Sequence, residues 1–446
     1  MTAALAPAPS DANLAALVEE LRAALGREAV LASREEMLVY ECDGFTIEKN
    51  TPDVVVFPRS TQDVSTIVKL ANQHRVPLLP RGAGTSLSGG ALAVGGGVMI
   101  VLMRMNKIEQ IDLRNRCALV EAGVVNIKLT QALKGTGYHY APDPSSQGAC
   151  SIGGNIATNS GGPHTLAYGV TVNHVLGVEV VLADGSVVWF GGPTSDKLGI
   201  DLVGLFVGCE GTFGICTRAW VRLTPDPHAF RTLRVIFETM DDAAEAITDI
   251  IAAGIIPAAL EMMDGGVLEA LEGAFHYGFP LDAEAMLIIE VDGIEAGLDE
   301  LRDRVAEICH KHHAREVKQA LTTEDRLKLW KCRKQAFGAI GRLSSSYCTQ
   351  DGVVPRTKLP HILRTVRAVS AKYKLRIVNV FHAGDGNIHP IVLFDERDAE
   401  QVQRVLDASA EILDECLALG GSVTGEHGIG VEKIAYMSRI FDENTL

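Results

Sequence analysis

The chain has 446 residues, of which 47% are hydrophobic and 22% charged, so we expect two or three globular domains. Its formal net charge of −15 argues against nucleic acids and anionic membrane surfaces as partners, because both would be repelled. No apolar run reaches the roughly 18 to 20 residues of a membrane helix. The N-terminal residues lack the basic segment of a signal or transit peptide, so we expect a cytoplasmic protein.

Nine cysteines are spread along the chain, and no Cys-x-x-Cys pair occurs. This pattern is typical of buried, reduced thiols. It also indicates that this chain does not hold an iron–sulfur cluster of its own.

The first 90 residues predict an N-terminal helix followed by a β–α–β unit. An Ala/Pro-rich stretch at 1–10 precedes an amphipathic helix that starts near residue 11. Strands at 53–57 and 76–80 flank a helix at 60–75, and Ser60 is a suitable N-cap for it. The second strand leads into the glycine-rich segment "RGAGTSLSGG".

The rest of the chain predicts a second lobe and a further domain. From about 91 to 224, short β-branched strands separated by glycines indicate an α+β lobe with an antiparallel or mixed sheet. The Pro-rich stretch at 223–230 is a domain boundary. Two strand–helix–strand halves after it predict a ferredoxin-like domain, and 322–343 is a polar helical insert. The final residues predict a loop that enters a helix.

Three segments rich in glycine and small polar residues could hold a polar cofactor. In "PLLPRGAGTSLSGG" (77–90), glycines allow close backbone approach, and successive N–H groups and hydroxyls could wrap a pyrophosphate. Its spacing is neither the nicotinamide fingerprint nor a Walker loop. The segments 142–174 and 207–223 have the same character, although plain structural turns remain an alternative reading of all three.

A second chemical signal is the stretch "NVFHAGDGNIHPIVLF" at 379–394. His382 and His389 are seven residues apart across a turn, so both could face one cleft. "TGEHGIG" adds Glu426 and His427. Two neutral imidazoles with one carboxylate are a usual ligand set for a divalent metal, whereas a single histidine is more often a hydrogen-bonded core residue. The clustering of these residues favours the metal site.

The order of "PRGAGTSLSGG", "SIGGNIATNSGG", "YGVTVNHVLGVEVVLADG" and "GCEGTFGI" resembles the FAD-binding domain of the vanillyl-alcohol-oxidase type. "HAGDGNIHP" and "GEHGIG" resemble its branch of FAD-linked D-2-hydroxyacid dehydrogenases, and the resemblance extends from about 30 to 440. Within that branch it is greatest to the FAD subunits of glycolate oxidases (glycolate dehydrogenases), followed by D-lactate dehydrogenases.

The resemblance implies an α+β fold with two parts: a two-lobed FAD-binding domain of vanillyl-alcohol-oxidase type and a ferredoxin-like α+β substrate or cap domain. It implies an N-terminal helix region at 1–30 and the FAD-binding domain (PCMH type) at 31–225. The ferredoxin-like domain would span 226–410, and 411–446 would return to the FAD site.

The resemblance also assigns FAD contacts to positions of this sequence. Ala83 and its neighbours include no histidine of the kind that attaches flavin covalently in other branches, so we expect non-covalent FAD. The pyrophosphate loop, the lining of the ribityl chain and flavin, and the adenine side would together use Pro80, Arg81, Gly82, Ala83, Gly84, Thr85, Ser86, Gly89, Gly90, Pro144, Ser145, Ile152, Gly153, Gly154, Asn155, Thr158, Ser160, Gly161, Gly162, Gly169, Val172, Glu210, Gly211, Gly214 and Ile215.

The same resemblance assigns the substrate side of the site. A divalent metal (Zn, Mn or Fe) would be held by His382, His389 and Glu426, with His427 as the catalytic base. Arg333 in "WKCRKQAF" would bind the substrate carboxylate, and Arg356 is a weaker candidate for a second contact. Relatives that act on larger diacids often carry Asn where Ile391 stands, which favours a small substrate.

The implied activity is oxidation of a small 2-hydroxy acid, glycolate or D-lactate, to the 2-oxo acid, with hydride transfer from C2 to flavin N5. Electrons would pass to a second flavin subunit and an iron–sulfur subunit of a glycolate oxidase complex, or to a quinone. Such a partner could attach the chain peripherally to a membrane. The alternatives are a cytochrome- or quinone-linked D-lactate dehydrogenase, a metallohydrolase with purely structural glycine segments, and a non-catalytic flavin subunit.

Overall fold

The computed structural model describes residues 11–194 and 199–446. Its helices are α1 (Asp11–Leu25), α2 (Arg34–Met37), α3 (Thr61–His74), α4 (Asn126–Ala132), α5 (Ile152–Thr158), α6 (Thr165–Tyr168), α7 (Leu202–Phe206), α8 (Met240–Ala252), α9 (Gly265–Phe275), α10 (Leu298–Lys311), α11 (Thr323–Ile340), α12 (Leu359–Tyr373), α13 (Ala399–Ala418) and α14 (Met437–Ile440).

The strands are β1 (Val30–Leu31), β2 (Val54–Val56), β3 (Leu78–Arg81), β4 (Val98–Val101), β5 (Ile108–Asp112), β6 (Cys117–Glu121), β7 (Tyr138–His139), β8 (Val175–Val181), β9 (Val187–Gly191), β10 (Ile215–Arg222), β11 (Thr224–Pro225), β12 (Ala229–Phe237), β13 (Ala259–Asp264), β14 (Ala285–Gly293), β15 (Glu316–Gln319), β16 (Ser346–Thr349), β17 (Gly352–Val353), β18 (Arg376–His382), β19 (Asn387–Ile388) and β20 (Pro390–Phe394).

Backbone contacts divide the chain into two compact units. The first consists of Met1–Gly161, Gly169–Asp226 and Glu426–Leu446, and the second of Gly162–Tyr168 and Pro227–Gly425. Residues 1–10, which the sequence assigns to the N-terminal helix region, lie outside the described residues. The four-part division of the chain stays a prediction.

Among the described residues, the first unit contains two larger sheets and the two-stranded pair β11-β7. One has the order β1-β2-β4-β3, in which β2 and β3 both run parallel to β4 and β1 is antiparallel to β2. Helix α3 connects β2 to β3, as the β–α–β prediction requires, and Ser60 caps it by accepting the amide of Asp63 at 3.1 Å. The other sheet has the order β5-β6-β10-β8-β9 and is antiparallel throughout.

The second unit is built on a seven-stranded antiparallel sheet in the order β15-β12-β14-β13-β18-β20-β16. Strands β12 to β15 with α8 and α10 form the ferredoxin-like part, because their order in the sheet is fourth, first, third, second. Strands β18, β20 and β16 extend this sheet beyond β13. The prediction of a ferredoxin-like α+β domain is therefore confirmed.

Helices α9 and α11 cover one face of this sheet. Their apolar residues, such as Leu268 and Ala336, share one core cluster with Met263 of β13, Ile288 of β14 and Val380 of β18. Helix α11 begins at a capping box made by Thr322 and Asp325. It is thus a packed element of the core rather than a polar insert.

In the described part of the chain, no helix is both long and apolar enough to cross a membrane.

Candidate active site

On the face that α9 and α11 cover, apolar side chains give way to polar, ionisable ones at one end of two neighbouring strands, β13 and β18. In β13, Glu261 lies two positions before the apolar Met263. In β18, His382 lies two positions after the apolar Val380. Glu261 and His382 are register partners. Since alternate residues of a strand share a face, the sheet register brings these polar groups together.

Glu261 is the centre of this cluster. Its side chain is fully buried, and its two oxygens accept different hydrogen bonds: Oε2 from Arg333 Nε at 2.6 Å and Oε1 from His382 Nδ1 at 2.7 Å. Burial alone would raise the pKa of Glu261, but its interactions with His382 and Arg333 hold that pKa below the usual value. We therefore treat Glu261 as an ionised carboxylate.

Arg333 lies on the buried side of α11, with 1% of its surface exposed. While Nε binds Glu261, Nη1 and Nη2 are buried and have no hydrogen-bond partner among the residues that the structure describes. Buried donors of this kind are costly unless a partner satisfies them. The guanidinium therefore presents two donors in the geometry that matches a carboxylate.

His382 and His389 lie on either side of a tight turn that places both in the buried interior. A single 3-10 turn at Ala383–Asp385 and Gly386, with φ +79°, separate β18 from β19. A Cβ at Gly386 would lie 2.2 Å from the Val354 carbonyl oxygen, so the turn needs glycine there. The two imidazole centroids are 5.3 Å apart with perpendicular rings, and one nitrogen of each lies within 4.8 Å of the other.

A second buried carboxylate, Asp351, lies beside His389. Its Oδ1 is 3.7 Å from His389 Nδ1, while Oδ2 accepts hydrogen bonds from the Thr424 hydroxyl at 2.7 Å and the Gly425 amide at 3.0 Å. Glu426 follows Gly425 directly in the chain. Asp351 thus fixes the backbone that immediately precedes the predicted carboxylate ligand.

Two other predicted substrate-side residues have contrasting surroundings. Arg356 is exposed, in a short 3-10 turn at Arg356–Lys358. Ile391 is fully buried in β20, where its register partners are Val378 and Thr349.

Sequence reasoning missed Glu261 and Asp351. Glu261 is the one acidic residue inside the apolar run "AALEMM", and Asp351 precedes a glycine in "QDGVV". A buried acid in an otherwise apolar strand is rarely tolerated without a partner, and that signal could have identified Glu261.

In the first unit, the glycine-rich loop starts at the end of β3. Arg81 donates to the carbonyl oxygens of Cys42 at 2.8 Å and Ala91 at 3.2 Å, while Asp43 accepts the amide of Ala91. Arg81, at the start of the loop, is therefore bonded both to Ala91 at the end of the loop and to Cys42.

The interior of this loop suits a polar ligand. A Cβ at Gly82 would lie 2.4 Å from Ser151 Oγ, and Gly84 has φ +72°, so neither position tolerates a side chain easily. Ser86 Oγ is buried and has no hydrogen-bond partner within the described ranges. A glycine-rich backbone and an unsatisfied hydroxyl fit the pyrophosphate that the sequence predicts there.

Around α5, several predicted flavin-lining residues bind one another. The side-chain amide of Asn155 donates to Ser160 Oγ at 3.0 Å, and its oxygen accepts from Asn126 at 3.0 Å. Thr158 Oγ1 is 3.1 Å from Ser160 Oγ. Pro144 is buried and Ser145 is exposed. The network gives this turn a fixed shape.

Glu210, predicted on the adenine side of FAD, binds the "GEHGIG" segment. Its Oε1 accepts the Ile429 amide at 2.7 Å and its Oε2 accepts the Gly430 amide at 2.8 Å. Ser88 of the glycine-rich loop donates to the His427 carbonyl oxygen at 3.0 Å. The segment that carries His427 is therefore attached to the predicted FAD-binding unit at two places.

The remaining predicted FAD residues are Pro80 with Gly211, Gly162, and a larger set in the first unit. Pro80 ends β3 with Arg81, and its ring is 2.7 Å from where a Cβ of Gly211 would lie. Gly162 belongs to the short segment of the second unit, while the others lie in the first unit. These are Ala83, Thr85, Gly89, Gly90, Ile152, Gly153, Gly154, Gly161, Gly169, Val172, Gly214 and Ile215.

Comparison with known proteins decides the family. A model described as "FAD binding domain" matches residues 52–191, and one described as "FAD linked oxidases, C-terminal domain" matches 226–446. The glycolate oxidase subunit GlcD of Escherichia coli K12 is 42% identical over 98% of this chain and 87% of its own length. The chain belongs to the FAD-linked oxidase family.

Other comparisons agree with this family. A D-lactate dehydrogenase of Anaerostipes hadrus is 32% identical over 91% of this chain and 86% of its own length. A substrate-bound crystal structure of p-cresol methylhydroxylase has a TM-score of 0.81 over 98% of this chain and 93% of that one, at 21% identity. That likeness confirms the vanillyl-alcohol-oxidase type of fold. Membership in this family makes the chain an FAD-linked oxidoreductase, so the metallohydrolase alternative is set aside.

Proposed function

We propose that this FAD-linked oxidoreductase oxidises a small 2-hydroxy acid, glycolate or D-lactate, to the 2-oxo acid. The observation that carries the proposal is the buried Arg333 guanidinium, which has two donors available beside the Glu261–His382 pair. The relatives named for glycolate oxidase and D-lactate dehydrogenase support the same substrate class.

Arg333 binds the substrate carboxylate. A bidentate guanidinium–carboxylate pair satisfies both of its terminal amino groups and fixes the orientation of C2. Because Arg333 is buried, water competes weakly for these donors. Arg356, which is exposed in its turn, stays a weaker candidate for a second contact.

His382, His389 and Glu426 are the proposed ligands of a divalent metal, and the donor set fits one. A carboxylate only accepts hydrogen bonds, so the bond to Glu261 places the proton of His382 on Nδ1 and leaves the lone pair on Nε2. His389 has Asp351 in the corresponding position, although at a longer distance. Imidazole and carboxylate ligands are compatible with Zn, Mn or Fe.

When bound, FAD would take the hydride from C2 at its N5, and the cation would lower the pKa of the substrate hydroxyl. His427 removes that hydroxyl proton as general base. Hydrogen bonds from Ser88 to the His427 carbonyl and from the Ile429 and Gly430 amides to Glu210 hold the backbone that follows the imidazole. A fixed backbone limits the positions that the base can take.

The glycine-rich loop around Ala83 contains no histidine, so we propose that FAD is bound non-covalently. Its electrons would leave through a second flavin subunit and an iron–sulfur subunit, or through a quinone. That the GlcD relative is a subunit by name supports a multi-subunit assembly. A cytoplasmic location, with peripheral attachment to a membrane through such a partner, completes the proposal.

Glycolate is favoured over larger acids because relatives that act on larger diacids often carry Asn where the buried, apolar Ile391 stands. D-Lactate carries only one additional methyl group. A cytochrome- or quinone-linked D-lactate dehydrogenase is therefore the second candidate. A non-catalytic flavin subunit is disfavoured because Arg333, His382, His389, Glu426 and His427 are all present.

Anaerobic stopped-flow mixing with glycolate, D-lactate, L-lactate and a larger 2-hydroxy diacid tests the proposal through bleaching of the flavin absorbance. We expect rapid reduction by glycolate or D-lactate and little by the others. His427→Ala should slow reduction by about 100-fold or more, which is the usual contribution of a general base.

Loss of the base should leave FAD binding unchanged, so the ratio of visible to protein absorbance of His427→Ala serves as the control. If the FAD-loaded wild type is reduced by none of these acids, the proposed function is wrong. If the variant is reduced as fast as the wild type, His427 is not the base.

A further inference from the structure

Glu261 binds both the proposed carboxylate-binding residue, Arg333, and the proposed metal ligand His382. Each of its two oxygens accepts one hydrogen bond, from Arg333 Nε and from His382 Nδ1. Helix α11 supplies the arginine and strand β18 the histidine, so one side chain of β13 reaches both. Both partners are buried, with Arg333 1% and His382 4% exposed.

We propose that Glu261 is a positioning residue shared by substrate and metal binding: it orients the Arg333 fork for the carboxylate and fixes the His382 tautomer that leaves Nε2 as a ligand. This inference rests on the proposed function and adds a residue to it. The interaction with Arg333 leaves Nη1 and Nη2 as the donors available to the substrate. The interaction with His382 keeps the proton away from the metal-facing nitrogen.

Glu261→Gln tests the inference, because an amide cannot replace this carboxylate despite its similar shape. A glutamine has one accepting oxygen and one donating NH2 group, whereas Arg333 Nε and His382 Nδ1 both need an acceptor. If the NH2 group faces His382, Nδ1 must accept, and the proton moves to Nε2. If it faces Arg333, two donors oppose each other and the guanidinium is displaced.

Two binding measurements separate these outcomes. Equilibrium dialysis of the FAD-loaded, chelator-treated protein against Mn²⁺ measures metal affinity. Titration of the same metal-free protein with oxalate, followed by the change in the flavin spectrum, measures carboxylate binding. We expect Glu261→Gln to weaken at least one affinity by about 10- to 100-fold, the usual effect of removing a residue that orients a ligand.

Glu261→Asp distinguishes hydrogen bonding from shape. Aspartate is shorter than glutamate but keeps two accepting oxygens, whereas glutamine keeps the length and loses one acceptor. The inference predicts that the Asp variant binds better than the Gln variant whichever probe, Mn²⁺ or oxalate, the Gln variant binds weakly. A purely steric role predicts the reverse order, and that result would overturn the inference.

Glu290→Gln is the matched control. Glu290 is also fully buried, on the adjacent strand β14, and it binds Arg326, which is seven residues before Arg333 on α11. This variant should lose stability and keep both affinities. If Glu261→Gln does not fold, Glu261→Asp must still bind both probes within about 10-fold of wild type; a folded Asp variant that binds neither probe contradicts the inference.

The wild-type protein separates this inference from the proposed function. If the wild type binds neither Mn²⁺ nor oxalate and no 2-hydroxy acid reduces its flavin, the proposed function and the inference both fail. If the wild type does all three and Glu261→Gln retains both wild-type affinities, only the inference fails.

Discussion

At the scale of single residues, few side chains can bind a carboxylate in the protein interior. Arg333 presents two donors in one plane, and lysine cannot reproduce that fork. The Nε–H bond to Glu261 adds a constraint, because it fixes the plane in which the two donors lie. The identity of this side chain should therefore matter more than its charge.

Arg333→Lys should raise the KM for glycolate by about 10- to 100-fold, since replacing a charged bidentate pair removes one strong hydrogen bond. The limiting rate of flavin reduction should fall less. Steady-state kinetics with the preferred acid would measure both. Arg326→Lys, on the same helix, is the control and should leave KM unchanged. An equal KM in both variants would contradict the assignment of Arg333.

Some residues of the site could be predicted from the sequence, and others could not. His382 and His389 stand out because a histidine pair around a Gly-Asp-Gly-Asn turn is unusual inside an apolar run. Glu261 becomes important only through the register of β13 with β18, which joins residues 121 positions apart. The local sequence pattern contains no information about such long-range pairing, so nothing in it connects Glu261 with His382.

At the scale of elements, the composition of the glycine-rich loop after β3 predicts a ligand loop, whereas it does not predict the hydrogen bonds of Arg81. The glycine content of the loop predicts that a ligand could approach the backbone closely. The guanidinium of Arg81, however, binds the carbonyl oxygens of Ala91 and Cys42, which are 10 and 39 residues away in the sequence. Similarly, α11 reads as a polar insert because charged residues are interspersed among those that pack.

Gly84→Ala tests the loop as an element. A Cβ there would lie 2.0 Å from Arg81 Nη2 at a residue with φ +72°, so the loop must distort and release Arg81. The purified variant should contain several-fold less FAD, measured from the ratio of flavin to protein absorbance. Gly135→Ala is the matched control, because Gly135 has φ +82° with nothing within 4 Å of its Cβ position. Normal FAD content in Gly84→Ala would contradict this role.

Glu210→Gln tests the attachment of the "GEHGIG" segment. The carboxylate accepts the Ile429 amide at one oxygen and the Gly430 amide at the other, whereas glutamine would turn an NH2 donor toward one of them. Losing a hydrogen bond to a charged group costs about 1.5–3 kcal/mol locally. Hydrogen exchange of 428–430 should therefore accelerate by about 10- to 100-fold. Unchanged exchange would show that other contacts hold the segment.

At the scale of the whole molecule, buried carboxylates make stability depend on pH. Burial alone would raise the pKa of Glu290, but His164, Arg326 and Thr232 lower it from 4.5 to about 2. A depressed carboxyl pKa stabilises the folded state above the unfolded value, and this contribution is lost as the pH falls from 4.5 toward 2. A difference of this size corresponds to about 3 kcal/mol.

The unfolding free energy of the wild type should therefore fall steeply between about pH 5 and about pH 3. Glu290→Gln has no carboxyl to titrate, so its unfolding free energy should fall less over the same interval, although it starts lower. Urea unfolding at several pH values, followed by far-UV circular dichroism, measures the slopes. Parallel slopes for the two proteins would contradict the assignment.

The hydrogen bonds that attach the "GEHGIG" segment have a consequence for folding during synthesis on the ribosome. Glu210 is synthesised long before its partners Ile429 and Gly430, and the whole of Pro227–Gly425 emerges between them. The first unit therefore cannot be completed while it is being translated, and must wait for the second unit to be made. A nascent chain arrested before residue 429 would hold a glycine-rich loop without the segment that Ser88 and Glu210 bind, so cofactor uptake should be a late, post-translational event.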